Sequence, residues 1–158
     1  MKHLKKLTTV FFMTLTGAVL LSCSNDDDST TEKLTPSEKL ASTAWETTGA
    51  VNNEGENIAL TDPNVANFVG FAYFKTDGTF TMFNLDDSPK LQGDWSVSAD
   101  GSTRTIIAKN DAGEELFTRV VDITVLTMEE FTYRIFPDSE DEGIYFDIIH
   151  TPTNHVEP

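Results

Sequence analysis

Short stretches of alternating apolar and polar residues recur along most of the chain, roughly every ten to fifteen residues. The clearest runs from Leu91 to Val97, where every second residue is polar, the pattern of a strand with one buried face. About eight such stretches, separated by Gly, Asn and Asp turns, predict an antiparallel sheet that meanders. Closure into a barrel removes the edges that an open sheet exposes. We therefore predict an all-β fold, a small up-and-down barrel rather than a sandwich.

The clearest hairpin lies between Phe71 and Phe83, around Asp77-Gly78. A two-residue loop would pair Phe74 with Thr81. A three-residue loop, with Gly78 in the left-handed conformation, would pair Phe74 with Phe80 and match apolar residues along both strands. The apolar matching favours the three-residue loop.

Four other segments have distinct local signals. Thr35, Pro36 and Glu38 form a capping-box pattern, which predicts a short helix through about Ser42. Asn52 to Asn67 reads as a long loop with a brief strand near Ile58 to Leu60, and long loops in compact domains are often lids or binding loops. Two strands are predicted to have one continuous inner face each: Trp45, Thr47, Gly49 and Val51 in the first, and Phe117, Val121, Ile123 and Val125 in the longest.

The N-terminal residues have the layout of a secretory signal peptide. Three lysines precede an uncharged apolar run from Leu7 to Leu21, which is short for a membrane-spanning helix. Leu20-Leu21-Ser22-Cys23 resembles a bacterial lipobox, in which the cysteine thiol is lipidated and the cysteine becomes the new N-terminus. We therefore predict a lipoprotein signal peptide over 1–22 and lipid attachment at Cys23, the only cysteine of the chain.

The residues after Cys23 are polar and acidic. Ser24 to Glu32 contains no apolar side chain, so 23–34 is predicted to be the lipidated cysteine and a disordered tether. An acidic run in this position resembles the surface-export signal of Bacteroidetes lipoproteins. Ser24, rather than an aspartate, follows the lipidated cysteine, and this resembles Gram-negative lipoproteins that are sorted to the outer membrane. We expect a lipid-anchored protein of the cell envelope, at the outer membrane and displayed at the cell surface. The barrel should occupy 35–152, followed by a C-terminal tail over 153–158.

The charge of the chain excludes some classes of partner. The formal net charge is −15, and without the three signal lysines 8 Lys plus Arg stand against 26 Asp plus Glu, a net charge of −18. Nucleic acid and anionic membrane surfaces are therefore excluded as electrostatic partners. With Cys23 committed to lipid, no disulfide can form, so stability must come from packing of the 16 aromatic residues.

Several motifs resemble a known family. The capped helix, a Trp that opens the first strand, the hairpin from Phe74 to Phe80 and Gly93-Asp94-Trp95 resemble the lipocalin-like lipoproteins of bacteria. True lipocalins have glycine where Thr43 stands. More specifically, the chain resembles the bacterial family catalogued as domain of unknown function 4822 over about Leu40 to Pro152. The motifs that resemble it are Val69-Gly70-Phe71-Ala72, Gly93-Asp94-Trp95-Ser96, Asp100-Gly101-Ser102-Thr103-Arg104-Thr105 and Phe146-Asp147-Ile148-Ile149-His150-Thr151-Pro152. The resemblance implies a lipocalin-like barrel and no known activity.

No catalytic, cofactor or metal constellation is evident. His150 and His155 lie near the C-terminus and are predicted to be exposed or hydrogen-bonded. Asp138, Glu140, Glu142 and Gly143 match part of a calcium-loop template, but Ile149 stands where a bidentate glutamate is required. We therefore predict no enzyme, no cofactor and no metal site.

Arg104, Arg119 and Arg134 each lie in the middle of one of three consecutive strands. A four-residue loop at 110–113 would place Arg104 opposite Arg119, and such a pair is destabilising unless an anion or a carboxylate lies between the two charges. In one interpretation, a carboxylate of the protein lies between the two arginines, and one arginine stacks on Trp45. In the other interpretation, a bound anion lies between them. The candidate carboxylates are Asp94, Asp122, Asp147 and Glu46.

The leading functional hypothesis is a non-enzymatic binding module for a small, partly apolar, anionic ligand. An eight-stranded barrel is wide enough for a side-chain core or for one small molecule. The alternative is a structural or protein-interaction module of the envelope, which binds another envelope protein and no small molecule. The candidate ligand-binding residues are Arg104, Arg119, Arg134, Tyr73, Trp95 and Tyr133.

Overall fold

The computed structural model describes residues 33–138 and 142–158. The predicted signal peptide, Cys23 and nearly all of the acidic tether lie outside the described residues, as does Glu140 of the calcium-loop pattern. Within the described ranges, no helix has the length and apolar character needed to cross a membrane.

Eight strands form a closed antiparallel barrel in which each strand pairs with the next and the last pairs with the first. This confirms the predicted all-β, up-and-down barrel with a short N-terminal helix. The elements are α1 (Pro36–Leu40), β1 (Ala44–Asn52), a 3₁₀ turn (Ala66–Phe68), β2 (Phe71–Phe74), β3 (Thr79–Phe83), β4 (Pro89–Val97), β5 (Thr103–Lys109), β6 (Glu115–Leu126), β7 (Phe131–Ile135) and β8 (Phe146–Thr153).

The capping box at the start of α1 is present as predicted. The Glu38 amide donates to Thr35 Oγ1 over 3.3 Å, and the Thr35 amide donates to the Glu38 carboxylate over 2.8 Å. The helix ends at Leu40, two residues earlier than predicted, and the Leu40 carbonyl accepts a hydrogen bond from Trp45 Nε1 at 2.8 Å. Both side chains are fully buried, so α1 is fixed to the end of the barrel where β1 begins.

The β2–β3 hairpin has the predicted register. Phe74 pairs with Phe80 and Phe71 with Phe83, and Gly78 has φ +86°, the left-handed conformation that glycine adopts without steric cost. The apolar matching of the two strands therefore determines the loop length.

The two continuous inner faces predicted for β1 and β6 are wrong. The register of β1 shifts between Thr47 and Gly49, so Ala50 rather than Val51 is buried after Trp45 and Thr47. A second shift follows Ile123 in β6, after which Leu126 rather than Val125 packs against the core. Each extra residue bends its strand, which helps the sheet to close.

The segment between β1 and β2 contains no regular strand near Ile58 to Leu60, only an isolated bridge between Val51 and Asn57. Its first turn is held by the Asn52 side chain, which accepts from two following amides. Val65 is fully buried, and the 3₁₀ turn that follows it places Phe68 over the open end of the barrel.

The C-terminal segment after β8 packs against the outer face of β2 and β3. The His155 ring stacks on Phe71, with ring centroids 3.8 Å apart, and His155 Nδ1 lies 2.5 Å from the Tyr73 hydroxyl. Glu157 accepts from Lys75 Nζ at 2.9 Å and from Thr81 Oγ1 at 2.5 Å. The segment predicted as a tail is therefore attached to the barrel by specific contacts.

We expect His155→Ala to lower the free energy of unfolding by about 1 kcal/mol, because it removes a ring stack and a hydrogen bond. Urea denaturation measures this change. Val156→Ala is the matched control, because Val156 is 81% exposed and should be neutral. Equal stability of the two variants would contradict the attachment of this segment.

Candidate functional site

Arg104 is the most deeply buried charged residue of the barrel interior, with 2% of its surface exposed. Its guanidinium carbon lies 4.5 Å from the centre of the Tyr133 ring, 5.4 Å from that of Phe131 and 5.6 Å from that of Phe74. A cation over desolvated aromatic rings gains about 2 kcal/mol. The three rings therefore offset part of the cost of burying this charge.

The Nε atom of Arg104 is buried and has no hydrogen-bond partner among the described residues. Arg134 provides a comparison within the same chain. Its Nε and Nη2 donate side-on to the two oxygens of Asp147 over 2.8 and 2.9 Å. Arg104 thus lacks the carboxylate that Arg134 has.

The polar groups next to Arg104 do not supply a negative charge. Burial raises the pKa of Tyr133, while the charge of Arg104 and a hydrogen bond between the two side chains act in the opposite direction, so this phenol is neutral at physiological pH. Burial, assisted by Arg104, lowers the pKa of His150 to about 3, so His150 is neutral as well. Its Nδ1 lies 3.2 Å from the Phe131 carbonyl, and its ring stacks on Tyr133 at 5.2 Å. Burial also lowers the pKa of Arg104, but a guanidinium remains protonated in proteins.

A cavity of about 30 Å³ lies beside Arg104. Arg119, Lys90 and His150 also line it, and among the described residues no Asp or Glu does. Lys90 Nζ donates to the Val69 carbonyl at 2.6 Å, and burial lowers the pKa of Lys90. The interior of a chain with a net charge of −15 is therefore locally cationic.

Phe68 lies over the cavity at the mouth of the barrel. Its ring centre lies 5.1 Å from the guanidinium carbon of Arg119 and 6.4 Å from the centre of the Tyr133 ring. The backbone beneath it is held by Thr47, whose hydroxyl donates to the Phe68 carbonyl at 3.1 Å and accepts from the Gly70 amide at 3.2 Å. Gly70 has φ +151°, and a Cβ there would lie 2.1 Å from the Phe83 carbonyl oxygen, so the close approach requires glycine.

The structure brings together three of the six candidate ligand-binding residues, Arg104, Arg119 and Tyr133. Arg134 lies on the outer face with Asp147, and its guanidinium stacks on Tyr145 at 3.6 Å.

Tyr73 and Trp95 lie apart from the cavity. The Tyr73 side chain is on the outside beneath His155. Trp95 packs on Phe74 near the α1 end of the barrel, and its Nε1 donates to the Lys75 carbonyl at 3.0 Å.

The predicted pairing of Arg104 opposite Arg119 is also wrong. Arg104 pairs with Val121 and Arg119 with Ile106, because the loop between the paired Asn110 and Glu114 has three residues rather than four, and because Leu116 is an extra residue where the register shifts between Ala108 and Lys109. The two arginines therefore lie diagonally on the same inner face.

The candidate carboxylates do not pair with Arg104. Asp94 forms an ion pair with Lys109, and Asp147 forms one with Arg134. Within residues 33–138 and 142–158, neither Asp122 nor Glu46 forms an ion pair with Arg104. The predicted stacking of an arginine on Trp45 is wrong, because Arg104 lies over the rings of Tyr133, Phe131 and Phe74 instead.

Sequence reasoning missed four residues of the site: Phe68, Lys90, His150 and Thr47. His150 could have been predicted to point into the barrel, since it alternates along β8 with the buried residues Ile148 and Phe146. Phe68 carries no such signal, because its position depends on the path of a long loop. Within the described ranges, no group of three or more His, Cys, Asp or Glu side chains is arranged to hold a metal ion.

The closed barrel and the cationic cavity define a lipocalin-like barrel with a polar site in its interior. A family model described as Domain of unknown function (DUF4822) matches residues 37–158, and the chain belongs to this family, as predicted.

The solved structures that are similar to the chain include those of two proteins. One is a lipocalin-like protein from Bacteroides uniformis ATCC 8492, with 16% identity and a TM-score of 0.48 over 73% of this chain and 99% of that one. The other is a biogenic amine-binding protein, solved as a selenomethionine derivative, with 11% identity and a TM-score of 0.40 over 72% of this chain and 64% of that one. No curated protein matches the chain.

Proposed function

We propose that the chain is a non-enzymatic binding module whose barrel interior holds a small, partly apolar ligand with an anionic group. The observation that supports this most strongly is the buried Arg104 guanidinium, whose Nε has no hydrogen-bond partner among the described residues. An unpaired buried charge costs several kcal/mol, more than the three aromatic rings return. A ligand carboxylate at Arg104, in the side-on geometry of Arg134 and Asp147, would remove that cost.

The rest of the cavity favours a partly apolar ligand. Next to Arg104 and Arg119, its lining includes Ile106, Leu91 and Met82. Apolar atoms of a ligand would gain about 25 cal/mol for each Å² removed from water at these side chains. A purely polar anion such as sulfate would leave this surface without a partner, so an amphiphilic acid fits the site better.

The groups around the cavity are suited to binding rather than to proton transfer. A general base works best when its pKa lies near the working pH. His150, with a pKa of about 3, is a weak base at neutral pH, and the raised pKa of Tyr133 makes it a weak acid. Arg104 and Arg119 supply permanent charge. These properties support the non-enzymatic assignment.

Ligand-induced thermal stabilisation tests this function. We expect benzoate or hexanoate to raise the Tm of the purified protein, and their neutral counterparts benzamide and hexanol to have much smaller effects. A ligand at one hundred times its Kd stabilises the folded state by about 2.7 kcal/mol. Equal effects of the acids and their neutral counterparts would contradict an anion site, and no effect of either would contradict a small-molecule site.

We also propose that Cys23 anchors the protein by lipid to the cell envelope, at the outer membrane with outward display. The support is the lysine-rich, apolar leader before Leu20-Leu21-Ser22-Cys23 and the acidic run after it. Cys23→Ala should abolish metabolic labelling with a clickable fatty acid, because no other residue can form the thioether. Labelling that persists in the variant would refute the anchor.

The protein-interaction alternative has one observation in its favour. Leu116 and Val120 project from the outer face of β6 and are 58% and 59% exposed. A partner that covers them would be recovered with the parent protein but not with Leu116→Ser/Val120→Ser in a pull-down from detergent-solubilised envelope. Equal recovery with both proteins would count against this surface.

A further inference from the structure

We infer that the ligand is a single-ring aromatic carboxylate and that Phe68 is the gate whose place its ring takes. This inference rests on the proposed function and assigns a ligand class to the same site. Three observations support it: the cavity is small, Phe68 is the large side chain best placed to move, and the groups around the Phe68 ring suit another aromatic ring.

The cavity is too small for any ligand larger than a carboxylate group. A water molecule needs about 10–15 Å³ by the same measure, so a cavity of about 30 Å³ holds two waters or the two oxygens of one carboxylate. It does not hold a ring or an alkyl chain. A partly apolar ligand must therefore displace a side chain.

Phe68 is the large side chain best placed to move. Phe74, Phe131 and Tyr133 are at most 4% exposed and pack on one another in the barrel core. Phe68 is only partly buried and lies on the turn that crosses the mouth, next to the exposed Asn67.

The backbone around Phe68 is held by hydrogen bonds, whereas its partly buried ring is held only by packing against Arg119 and Tyr133. The carbonyls of Phe68 and Val69 accept from Thr47 and Lys90, so the turn itself is held in place. Rotation about the side-chain torsions of Phe68 opens the cavity without moving the loop.

The place that Phe68 leaves is suited to another aromatic ring. On one side is the Arg119 guanidinium, 5.1 Å from the ring centre, which favours a π system. On another is Tyr133, whose ring meets Phe68 edge to face at 65°. Tyr133 also contacts Arg104, so one small acid can place its ring beside Arg119 and its carboxylate at Arg104.

Calorimetry with phenylacetate and hexanoate, two acids of similar size, tests the inference. We expect the parent protein to bind phenylacetate about tenfold more tightly, because only phenylacetate replaces the ring contacts of Phe68. Phe68→Ala should tighten phenylacetate binding about three- to tenfold, since no ring has to be displaced. Phe68→Leu, which keeps an apolar cover on the core, serves as a second variant if Phe68→Ala is unstable.

Arg119→Met completes the test: the loss of one cation of the cavity should weaken binding of both acids, and the loss of the cation beside the ring should weaken phenylacetate more, so that most of the preference for the aromatic acid disappears. Equal binding of the two acids by the parent would overturn the ring assignment and leave the proposed function intact. Unchanged affinities in both Phe68 variants would overturn the gate. Failure of both acids to bind the parent and the Phe68 variants would instead overturn the proposed function.

Discussion

Replacing Arg104 with Met should abolish carboxylate binding and leave the ligand-free protein at least as stable as the parent. Met fills a similar volume and contacts the rings of Phe74, Phe131 and Tyr133 without the cost of a buried charge. An unsatisfied buried donor costs about 1–3 kcal/mol and a charged one more, whereas the lost cation–π contacts are worth about 2 kcal/mol. We therefore expect the free energy of unfolding to stay level or to rise by about 1–2 kcal/mol.

The effect of Arg104→Met on the free energy of unfolding shows whether Arg104 awaits a ligand or pairs with a carboxylate of the protein. If a protein carboxylate paired with Arg104, the Arg104→Met substitution would leave that carboxylate buried without a partner and would cost about 3–5 kcal/mol. Urea denaturation and thermal shift with benzoate measure the two parts of the prediction. Arg134→Met is the matched control, because it removes a half-buried ion pair on the outer face, should cost about 1–2 kcal/mol, and should leave the benzoate response unchanged. A loss of several kcal/mol in Arg104→Met would contradict the site.

Mild acid should destabilise the protein through His150. Its pKa is about 3 in the folded protein and about 6.5 when unfolded, so below pH 6.5 the unfolded state binds a proton that the folded state excludes. The contribution of this histidine is fully present above pH 6.5 and is lost as the pH falls toward 3. The slope approaches 1.4 kcal/mol per pH unit, so about 2 kcal/mol should be lost by pH 5.

His150→Gln isolates this effect, because the amide can donate to the Phe131 carbonyl but cannot titrate. Urea denaturation from pH 7.5 to 4.5 should give a nearly flat stability curve for the variant and a falling one for the parent. The Asp100 carboxylate in the β4–β5 turn does not contribute in this range, because hydrogen bonds from Ser98 and Ser102 lower its pKa to about 2 and its stabilising effect is lost only at lower pH. His155→Gln is the control, and it should keep the steep dependence. A parent curve that is flat from pH 6.5 to 4.5 would contradict the burial of a neutral His150.

The sequence predicted the barrel because two kinds of local signal agree along the chain. Alternation with period two marks the strands, and turns such as Asp77-Gly78 separate them, so the hairpin register could be argued from Phe74 and Phe80 alone. The bulges could not be predicted. Nothing in the composition of β1 distinguishes Thr48, the extra residue, from its neighbours, because a bulge responds to the curvature of the whole sheet.

The site was predictable only in part for a related reason. Arg104 and Arg119 share the parity of apolar neighbours in their strands, so both point inward. Arg134 has the opposite parity to Tyr133, which already indicates an outward side chain, so its assignment to the site was an avoidable error. The depth of Trp95 along the barrel axis depends on how the barrel closes. The position of Phe68 depends on the path of the long loop. No local sequence pattern encodes either of these.

The measurement that tests the account most directly is the nuclear magnetic resonance signal of the arginine Nε–H groups during a titration with benzoate. The chain contains three arginines, so three signals are expected, and each is assigned by its loss in the corresponding Arg→Lys variant. We expect the Arg104 signal to shift on saturation, because its Nε, which has no partner among the described residues, gains a carboxylate, while the signal of Arg134, already paired with Asp147, stays in place. An Arg104 signal that does not move at saturating benzoate would contradict the assignment of the barrel interior as an anion site.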